Sequence, residues 1–168
     1  MTETILKMQK KVKRYLDKDR YDHTIGVMHT AGCLAMRYGA NLEQALTAGL
    51  LHDCAKCVPS AEKIKLCERN HIEISEAEYQ NPGLLHAKLG AFFARKKYGI
   101  ENEEILRSIE SHTTGRPNMS LLDKIIYIAD YMEPGRDVAP NLPEVRALAF
   151  VDLDACLYRI LEDTLAYL

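Results

Sequence analysis

Six side chains that could bind a metal ion lie near the predicted ends of helices. They are four histidines and two aspartates, namely His23, His52, Asp53, His86, His112 and Asp130. Helix ends that converge on one cavity present such groups from rigid elements, as a preorganised metal site requires. Four neutral imidazoles with two carboxylates suit first-row metals such as Fe, Mn, Co, Ni or Zn, and they are too rich in nitrogen for Ca²⁺ or Mg²⁺. We therefore expect a transition-metal site.

An all-α fold is expected to position these groups, because 21 Leu and 17 Ala stand against only 6 Val. Helix-forming residues thus outnumber the β-branched residues that strands prefer. After two N-terminal helices, the spacing of apolar residues predicts helices over residues 41–53, 60–70, 75–81, 83–98, 102–112 and 120–133. Residues at capping-box spacing mark three of their starts, namely Asn41 with Gln44, Ser75 with Glu78 and Ser120 with Asp123. A terminal pair of helices begins near Pro143 and is expected to reach Leu168.

The composition excludes several classes of protein. A length of 168 residues with 47% hydrophobic residues suits one globular domain over residues 1–168. The net charge of −2 lacks the basic surface expected of a protein that binds nucleic acid or an anionic membrane. No apolar run approaches the ~18 residues of a membrane span. The odd number of cysteines, five, and the absence of a secretory signal over residues 1–8 predict a reducing cytoplasm.

Five strings around the proposed ligands resemble a known family. They are Arg20-Tyr21-x-His23-Thr24, Gly49-Leu50-Leu51-His52-Asp53-x-Ala55-Lys56, Leu85-His86-Ala87, His112-Thr113-Thr114-Gly115-Arg116-Pro117-Asn118-Met119-Ser120 and Asp130-Tyr131-x-Glu133-Pro134-x-Arg136-Asp137. Together they resemble the YqeK family of symmetrical diadenosine tetraphosphate hydrolases, within the HD-domain superfamily of metal-dependent phosphohydrolases. The resemblance implies a single-domain, all-α helical bundle with a metal-binding core over about residues 20–137.

The same resemblance implies a ligand set and a reaction. The first metal of the family would take His23, His52, Asp53 and Asp130. His86 and His112 would add a second metal, and Asp53 would bridge the two ions. Iron is favoured for both positions, with Mn, Co, Ni and Zn as alternatives. The substrate would be a dinucleoside polyphosphate that is cut in the middle, with ADP or GDP as a product-like ligand. Whether the chain forms a homodimer is left open.

A phosphate substrate also explains the remaining candidate residues. Two divalent cations offset by two carboxylates keep a net positive charge, which attracts a polyphosphate and stabilises charge on its transferring oxygens. We expect Asp53 and Lys56 to act in catalysis. The candidates for binding substrate lie in or near loops at helix ends, and they are Arg20, Thr113, Thr114, Gly115, Arg116 and Arg136.

Three other functions stay open at this point. Another nucleotide phosphohydrolase is one, because a single scaffold accepts many phosphate esters. A di-iron oxygenase and a non-catalytic nucleotide sensor are the others, although the intact ligand set argues against the sensor. His29 is expected to face away from His23, since six residues correspond to about 120° around a helix. Cys54 and Cys57 are expected to be buried thiols, because a zinc site would need a second cysteine pair.

Overall fold

The computed structural model describes residues 1–167, which form ten α-helices, one 3₁₀ helix and no strand. In chain order these are α1 (Glu3–Val12), α2 (Lys18–Tyr38), α3 (Leu42–Leu51), α4 (Ser60–Arg69), α5 (Glu76–Gln80), the 3₁₀ helix (Pro82–Leu85), α6 (His86–Tyr98), α7 (Glu103–Ser111), α8 (Leu121–Met132), α9 (Leu142–Leu148) and α10 (Leu153–Tyr167). The all-α prediction is confirmed. The predicted end of the last helix at Leu168 lies outside the described residues.

Polar side chains begin several helices of the fold, including α3 and α8, which carry candidate ligands at their C-terminal ends. The side chain of Asn41 accepts a hydrogen bond from the backbone N–H three residues later, at 3.0 Å. Complete capping boxes begin α5 and α8, formed by Ser75 with Glu78 and by Ser120 with Asp123. Each cap satisfies backbone N–H groups that have no partner inside the helix. These local contacts explain why the starts could be predicted from the sequence.

One predicted helix is divided in the structure. Residues 83–98 were expected to form a single helix, but Pro82–Leu85 is a 3₁₀ turn and α6 begins only at His86. The prediction is wrong because Pro82 starts a tighter turn than an α-helix has. In this turn the Nδ1 atom of His86 lies 2.6 Å from the carbonyl oxygen of Gly83. The irregular start therefore orients a candidate ligand.

A shared core holds the helix ends in place. Buried apolar residues between Ile5 and Ile160 form one continuous cluster. At its centre α2 and α3 pack so closely that a Cβ atom on Gly49 would lie 2.9 Å from Met28 Cα. Only a glycine permits this approach of the two backbones. Within residues 1–167, no helix combines the length and the apolar character needed to cross a lipid bilayer.

The cysteines next to the His-Asp doublet differ in their surroundings. Cys54 is buried, as expected, but the expectation of a buried thiol is wrong for Cys57, which is exposed. Cys57 lies in the turn beyond the C-terminus of α3, and its thiol donates a hydrogen bond to Asp17 Oδ2 at 3.4 Å. The turn thus exposes the Cys57 side chain, whereas Cys54, at its start, is buried.

Candidate metal centre

Five helix ends bring their side chains together at one place in the fold. His23 lies in the second turn of α2, and Asp130 lies in the last turn of α8. His52 caps the C-terminus of α3, and His112 caps the C-terminus of α7. His86 is the first residue of α6. Groups that are far apart in the sequence thus form one largely buried cluster.

Asp53 turns its two carboxylate oxygens toward different members of this cluster. Its Oδ2 atom is 3.5 Å from His52 Nε2 and 3.9 Å from His23 Nε2. Its Oδ1 atom is 3.2 Å from His86 Nε2 and 3.5 Å from His112 Nε2. A carboxylate placed in this way can bridge two positions, one on each side.

Asp130 completes the side that faces α2. Its Oδ1 atom is 3.0 Å from His23 Nε2 and 3.7 Å from His52 Nε2. The ligand atoms of these three residues all lie within 4.8 Å of one another. Two atoms that bind the same ion at about 2.1 Å are roughly 3.0 to 3.5 Å apart in octahedral or tetrahedral geometry. The separations in the cluster are therefore close to those of atoms arranged around a shared cation.

Three of these ligand atoms are buried and have no hydrogen-bond partner among the residues described: His23 Nε2, His52 Nε2 and Asp53 Oδ1. The 3.0 Å approach of Asp130 to His23 Nε2 does not have hydrogen-bond geometry. Leaving a buried polar atom without a partner costs about 1 to 3 kcal/mol. A divalent cation between His23 and His52 would satisfy their two Nε2 atoms, and a cation on the side of His86 and His112 would satisfy Asp53 Oδ1. The residues present thus fit a divalent metal ion.

Hydrogen bonds at Nδ1 orient the four rings. In three of them Nδ1 lies close to the carbonyl oxygen three residues earlier: His52 to Gly49 at 2.7 Å, His86 to Gly83 at 2.6 Å and His112 to Ile109 at 2.7 Å. A carbonyl oxygen can only accept, so Nδ1 donates and the lone pair of the neutral ring is left on Nε2. His23 is different, because its Nδ1 atom lies 3.0 Å from Glu133 Oε1.

The two carboxylates and one histidine of the cluster have charge states that suit metal binding. Burial raises the pKa of Asp53, but His52 and the other neighbouring histidines outweigh this and hold the pKa well below its usual range. Burial likewise raises the pKa of Asp130, and contacts with His23 and His52 more than reverse it. Burial lowers the pKa of His86. Both carboxylates are therefore ionised and His86 is neutral near pH 7, the forms in which these groups bind metal. For His52, burial lowers the pKa, but the charges of Asp53 and Asp130 outweigh this and raise it, so a proton competes with a metal ion for its Nε2 atom.

Three of the four predicted phosphate-binding cations lie at the rim of the cluster. Arg20 Nη1 donates to Asp53 Oδ2 at 2.8 Å. Arg136 donates from Nη2 to Asp130 Oδ1 at 2.9 Å and from Nε to the carbonyl oxygen of Asp130 at 3.0 Å. Lys56 Nζ lies 3.4 Å from a ring nitrogen of the cluster. The rim therefore carries positive charge where an anionic substrate would approach.

The predicted substrate-binding segment after α7 is divided between two places. Thr113 Oγ1 lies 3.1 Å and 3.3 Å from two ring nitrogens of the cluster. Gly115 and Arg116 instead line a separate cleft, and Thr114 lines both this cleft and a second one that it shares with Thr113. The guanidinium of Arg116 is paired there with Asp123, 2.5 Å from Nη2 to Oδ2. The structure brings Thr113 to the cluster but not Arg116, and substrate binding by this segment stays a prediction.

Comparison with protein families agrees with this geometry. The model of the HD domain matches residues 20–135, a range that contains all the candidate ligands. The chain belongs to the HD-domain family. The resemblance that the sequence indicated at the superfamily level is thereby confirmed.

Relatives of this HD-domain chain match over nearly its whole length. The symmetrical bis(5'-nucleosyl)-tetraphosphatase of Bacillus subtilis (strain 168) is 42% identical over 157 residues, 94% of this chain and 83% of that protein. A protein of the same name from Halalkalibacterium halodurans is 44% identical over the same shares. A crystal structure of a predicted HD superfamily hydrolase involved in NAD metabolism, from Clostridium acetobutylicum, superposes with a TM-score of 0.91 at 43% identity, covering 96% of this chain and 85% of that one.

Two residues of the HD-domain site were not assigned a role from the sequence. Glu133 is buried and contacts His23, as described above. Lys63 is also buried, and its ammonium donates to the carbonyl oxygen of Lys56 at 3.1 Å. Glu133 could have been noticed because it lies three residues after Asp130 in a family string. Lys63 had no such signal, since it lies in the predicted helix over residues 60–70, which carries no candidate ligand and no family string.

Two clefts adjoin the HD-domain cluster and share Thr113 as a lining residue. The first has a volume of about 260 Å³ and includes Tyr131 and Arg136. The second has a volume of about 300 Å³ and includes Leu84 and Lys88. Both combine apolar walls with a few polar groups, as sites for small molecules commonly do.

Proposed function

We propose that this HD-domain protein hydrolyses dinucleoside tetraphosphates symmetrically, converting diadenosine tetraphosphate and water into two molecules of ADP. One observation carries the proposal. An intact His/Asp cluster occurs in a chain that is 42% and 44% identical, over 94% of its length, to two symmetrical bis(5'-nucleosyl)-tetraphosphatases. Because the resemblance extends well beyond the ligands, it supports a shared substrate as well as a shared fold.

The proposal includes two divalent ions in each chain. One would be held on the side of Asp53 Oδ2 and the other on the side of Asp53 Oδ1, with the two ligand groups His23, His52, Asp130 and His86, His112. The nitrogen-rich donor set supports a first-row transition metal, and we propose iron. When bound, such ions supply Lewis-acid polarisation of phosphoryl oxygens and activation of the attacking water.

The basic residues at the rim would bind and orient the polyphosphate. A guanidinium has five N–H donors in a fixed plane, and Arg20 uses only one of them on Asp53 within residues 1–167. Its other donors, together with those of Arg136, suit paired hydrogen bonds to phosphate oxygens. Lys56 adds a point charge beside the His86 side of the cluster, where it would counter charge on the leaving ADP. Thr113 adds a hydroxyl donor at the same place.

The two clefts support cleavage at the central bond. A dinucleoside tetraphosphate carries a nucleoside at each end, so its middle can reach the cluster only if both sides have room. Thr113 lines both clefts and contacts the cluster, and His112 and Asp130 also line the first cleft, so we assign one nucleoside to each cleft. A site with one cleft only would favour a substrate with a single nucleoside.

The decisive experiment separates the early products of diadenosine tetraphosphate by chromatography. The proposal expects ADP alone, and ATP with AMP in equal amounts would contradict it. His23→Ala should abolish the reaction. The matched control is His29→Ala, because His29 is an exposed histidine of the same helix and lines a separate groove. Equal loss in both variants would argue against the cluster as the active site.

The other functions can be tested with the same preparation. A nucleotide panel that includes NAD would show whether another phosphohydrolase activity is preferred. Product formation under strict anaerobiosis would exclude an oxygenase, and turnover of any nucleotide would exclude a non-catalytic sensor. Metal analysis of protein purified without oxygen tests the choice of iron.

A further inference from the structure

One histidine of the cluster is held by a carboxylate, whereas the other three are held by backbone carbonyls. Glu133 follows the last turn of α8, and it is only 3% exposed. Its Oε1 atom lies 3.0 Å from His23 Nδ1, and its Oε2 atom accepts a hydrogen bond from Gly135 N–H at 2.6 Å. Because both oxygens are engaged and buried, the carboxylate is fixed against the ring.

A glycine on α2 makes room for this carboxylate. Gly26 lies three residues after His23, on the same face of the helix. A Cβ atom on Gly26 would overlap Glu133 Oε2 and would lie 3.0 Å from Glu133 Cδ. Glycine inside a helix costs about 0.5 to 1 kcal/mol relative to alanine. The contact between Glu133 and His23 thus depends on an unfavourable residue in the interior of α2.

The backbone around Glu133 is held as firmly as its side chain. Arg146 of α9 donates hydrogen bonds to the carbonyl oxygens of Met132 at 2.9 Å, Glu133 at 2.9 Å and Arg136 at 2.7 Å. A single guanidinium therefore fixes the segment that carries Glu133. The position of the Glu133 carboxylate beside His23 is therefore fixed by its backbone as well as by its side-chain hydrogen bonds.

We propose that Glu133 is a positioning residue that raises the metal affinity of the His23 side of the cluster. The inference rests on the proposed binuclear centre. A carboxylate that accepts the Nδ1–H bond polarises the ring and makes Nε2 a stronger donor than a carbonyl partner does. It also adds a buried negative charge on that side alone. The two positions consequently differ in affinity, and the side of His23, His52 and Asp130 is the tighter one.

The test measures metal retention and needs no nucleotide. The full chain is loaded with Zn²⁺ and competed with a chromophoric chelator, which yields a dissociation constant for each ion. Glu133→Gln keeps the shape and a hydrogen-bond acceptor but removes the charge. Gly26→Ala displaces the same carboxylate from α2. Gly32→Ala is the matched control on the same helix, because a Cβ there would meet the flexible ends of two leucine side chains, Leu46 at 2.9 Å and Leu42 at 3.5 Å, and no member of the cluster.

We expect the dissociation constant of one ion to rise 10- to 100-fold in both Glu133→Gln and Gly26→Ala. Removing a hydrogen-bond partner of a metal-binding histidine usually has an effect of this size. The other ion and the Gly32→Ala control should be unchanged. The double variant should lose no more than the larger single effect, because both changes act on one contact.

Two results would overturn the inference. One is that neither variant changes a Zn²⁺ dissociation constant, and the other is that the dissociation constants of both ions rise equally. If Glu133→Gln does not fold, Gly26→Ala decides the question alone. Failure of the wild-type chain to cleave diadenosine tetraphosphate would contradict the proposed function but would not alter these constants.

Discussion

Arg116 is expected to matter for stability, through its ion pair with Asp123. Asp123 Oδ2 accepts a hydrogen bond from Ser120 N–H at 2.8 Å, within the capping box that begins α8, and lies 2.5 Å from Arg116 Nη2 in an ion pair. The side chain of Asp123 is 0% exposed and that of Arg116 is 34% exposed. Arg116→Ala would leave a buried carboxylate with one donor, at the start of the helix that carries Asp130.

The cost follows from this intermediate exposure. Breaking a fully buried pair costs about 3 to 5 kcal/mol, and an exposed pair contributes about 0 to 1 kcal/mol. The pair of Arg116 with Asp123 lies between these two limits, and we take about 1.5 to 3 kcal/mol as the expected loss for Arg116→Ala. For a chain of this size, about 2 to 4 °C per kcal/mol converts the loss to roughly 3 to 12 °C in Tm.

Thermal unfolding followed by circular dichroism measures this effect. The matched control is Arg107→Ala, because Arg107 is an exposed arginine of the same cleft and no salt bridge is found for it among residues 1–167. The control should stay within about 0.5 kcal/mol of wild type. An Arg116→Ala protein with unchanged Tm would refute the reasoning. If it also showed a raised KM, the original prediction of a phosphate contact would be favoured instead.

Three further outcomes are expected. Asp53→Ala should weaken the binding of both metal ions, and His86→Ala should weaken mainly the binding of one, as measured by the metal content of the purified protein. Equal metal loss in the two variants would contradict the bridging role of Asp53. In the folded protein, the exposed thiols of Cys33 and Cys57 should react quickly with a thiol reagent, and the three buried thiols should react only after unfolding. Fast reaction of all five thiols would contradict the observed burial. Burial raises the pKa of Glu78, but hydrogen bonds from a backbone N–H and a lysine lower it below its model-compound value of 4.5. Its stabilising effect is therefore present above about pH 4.5 and lost as the pH falls through the lower folded value. The Tm deficit of a Glu78→Gln variant should shrink in that range, and a constant deficit would contradict the assignment.

The sequence alone predicted those structural features that depend on residues close together in the chain. The helix starts at Asn41, Ser75 and Ser120 were predictable because a cap bonds to an N–H about three residues away. The same locality explains why the predicted end of a helix at residue 98 agrees with the structure, where Gly99 follows in the left-handed conformation. The candidate metal ligands could be proposed from the sequence, since the string around each of them is continuous in the chain.

Only the tertiary structure decided how these pieces act together. The different partners of the two Asp53 oxygens, the room that Gly26 leaves for Glu133 and the pairing of Arg116 with Asp123 all arise between segments that meet through packing. Such contacts depend on the distance and rotation between helices, which are set by the fit of many core side chains at once. No short stretch of sequence contains that information.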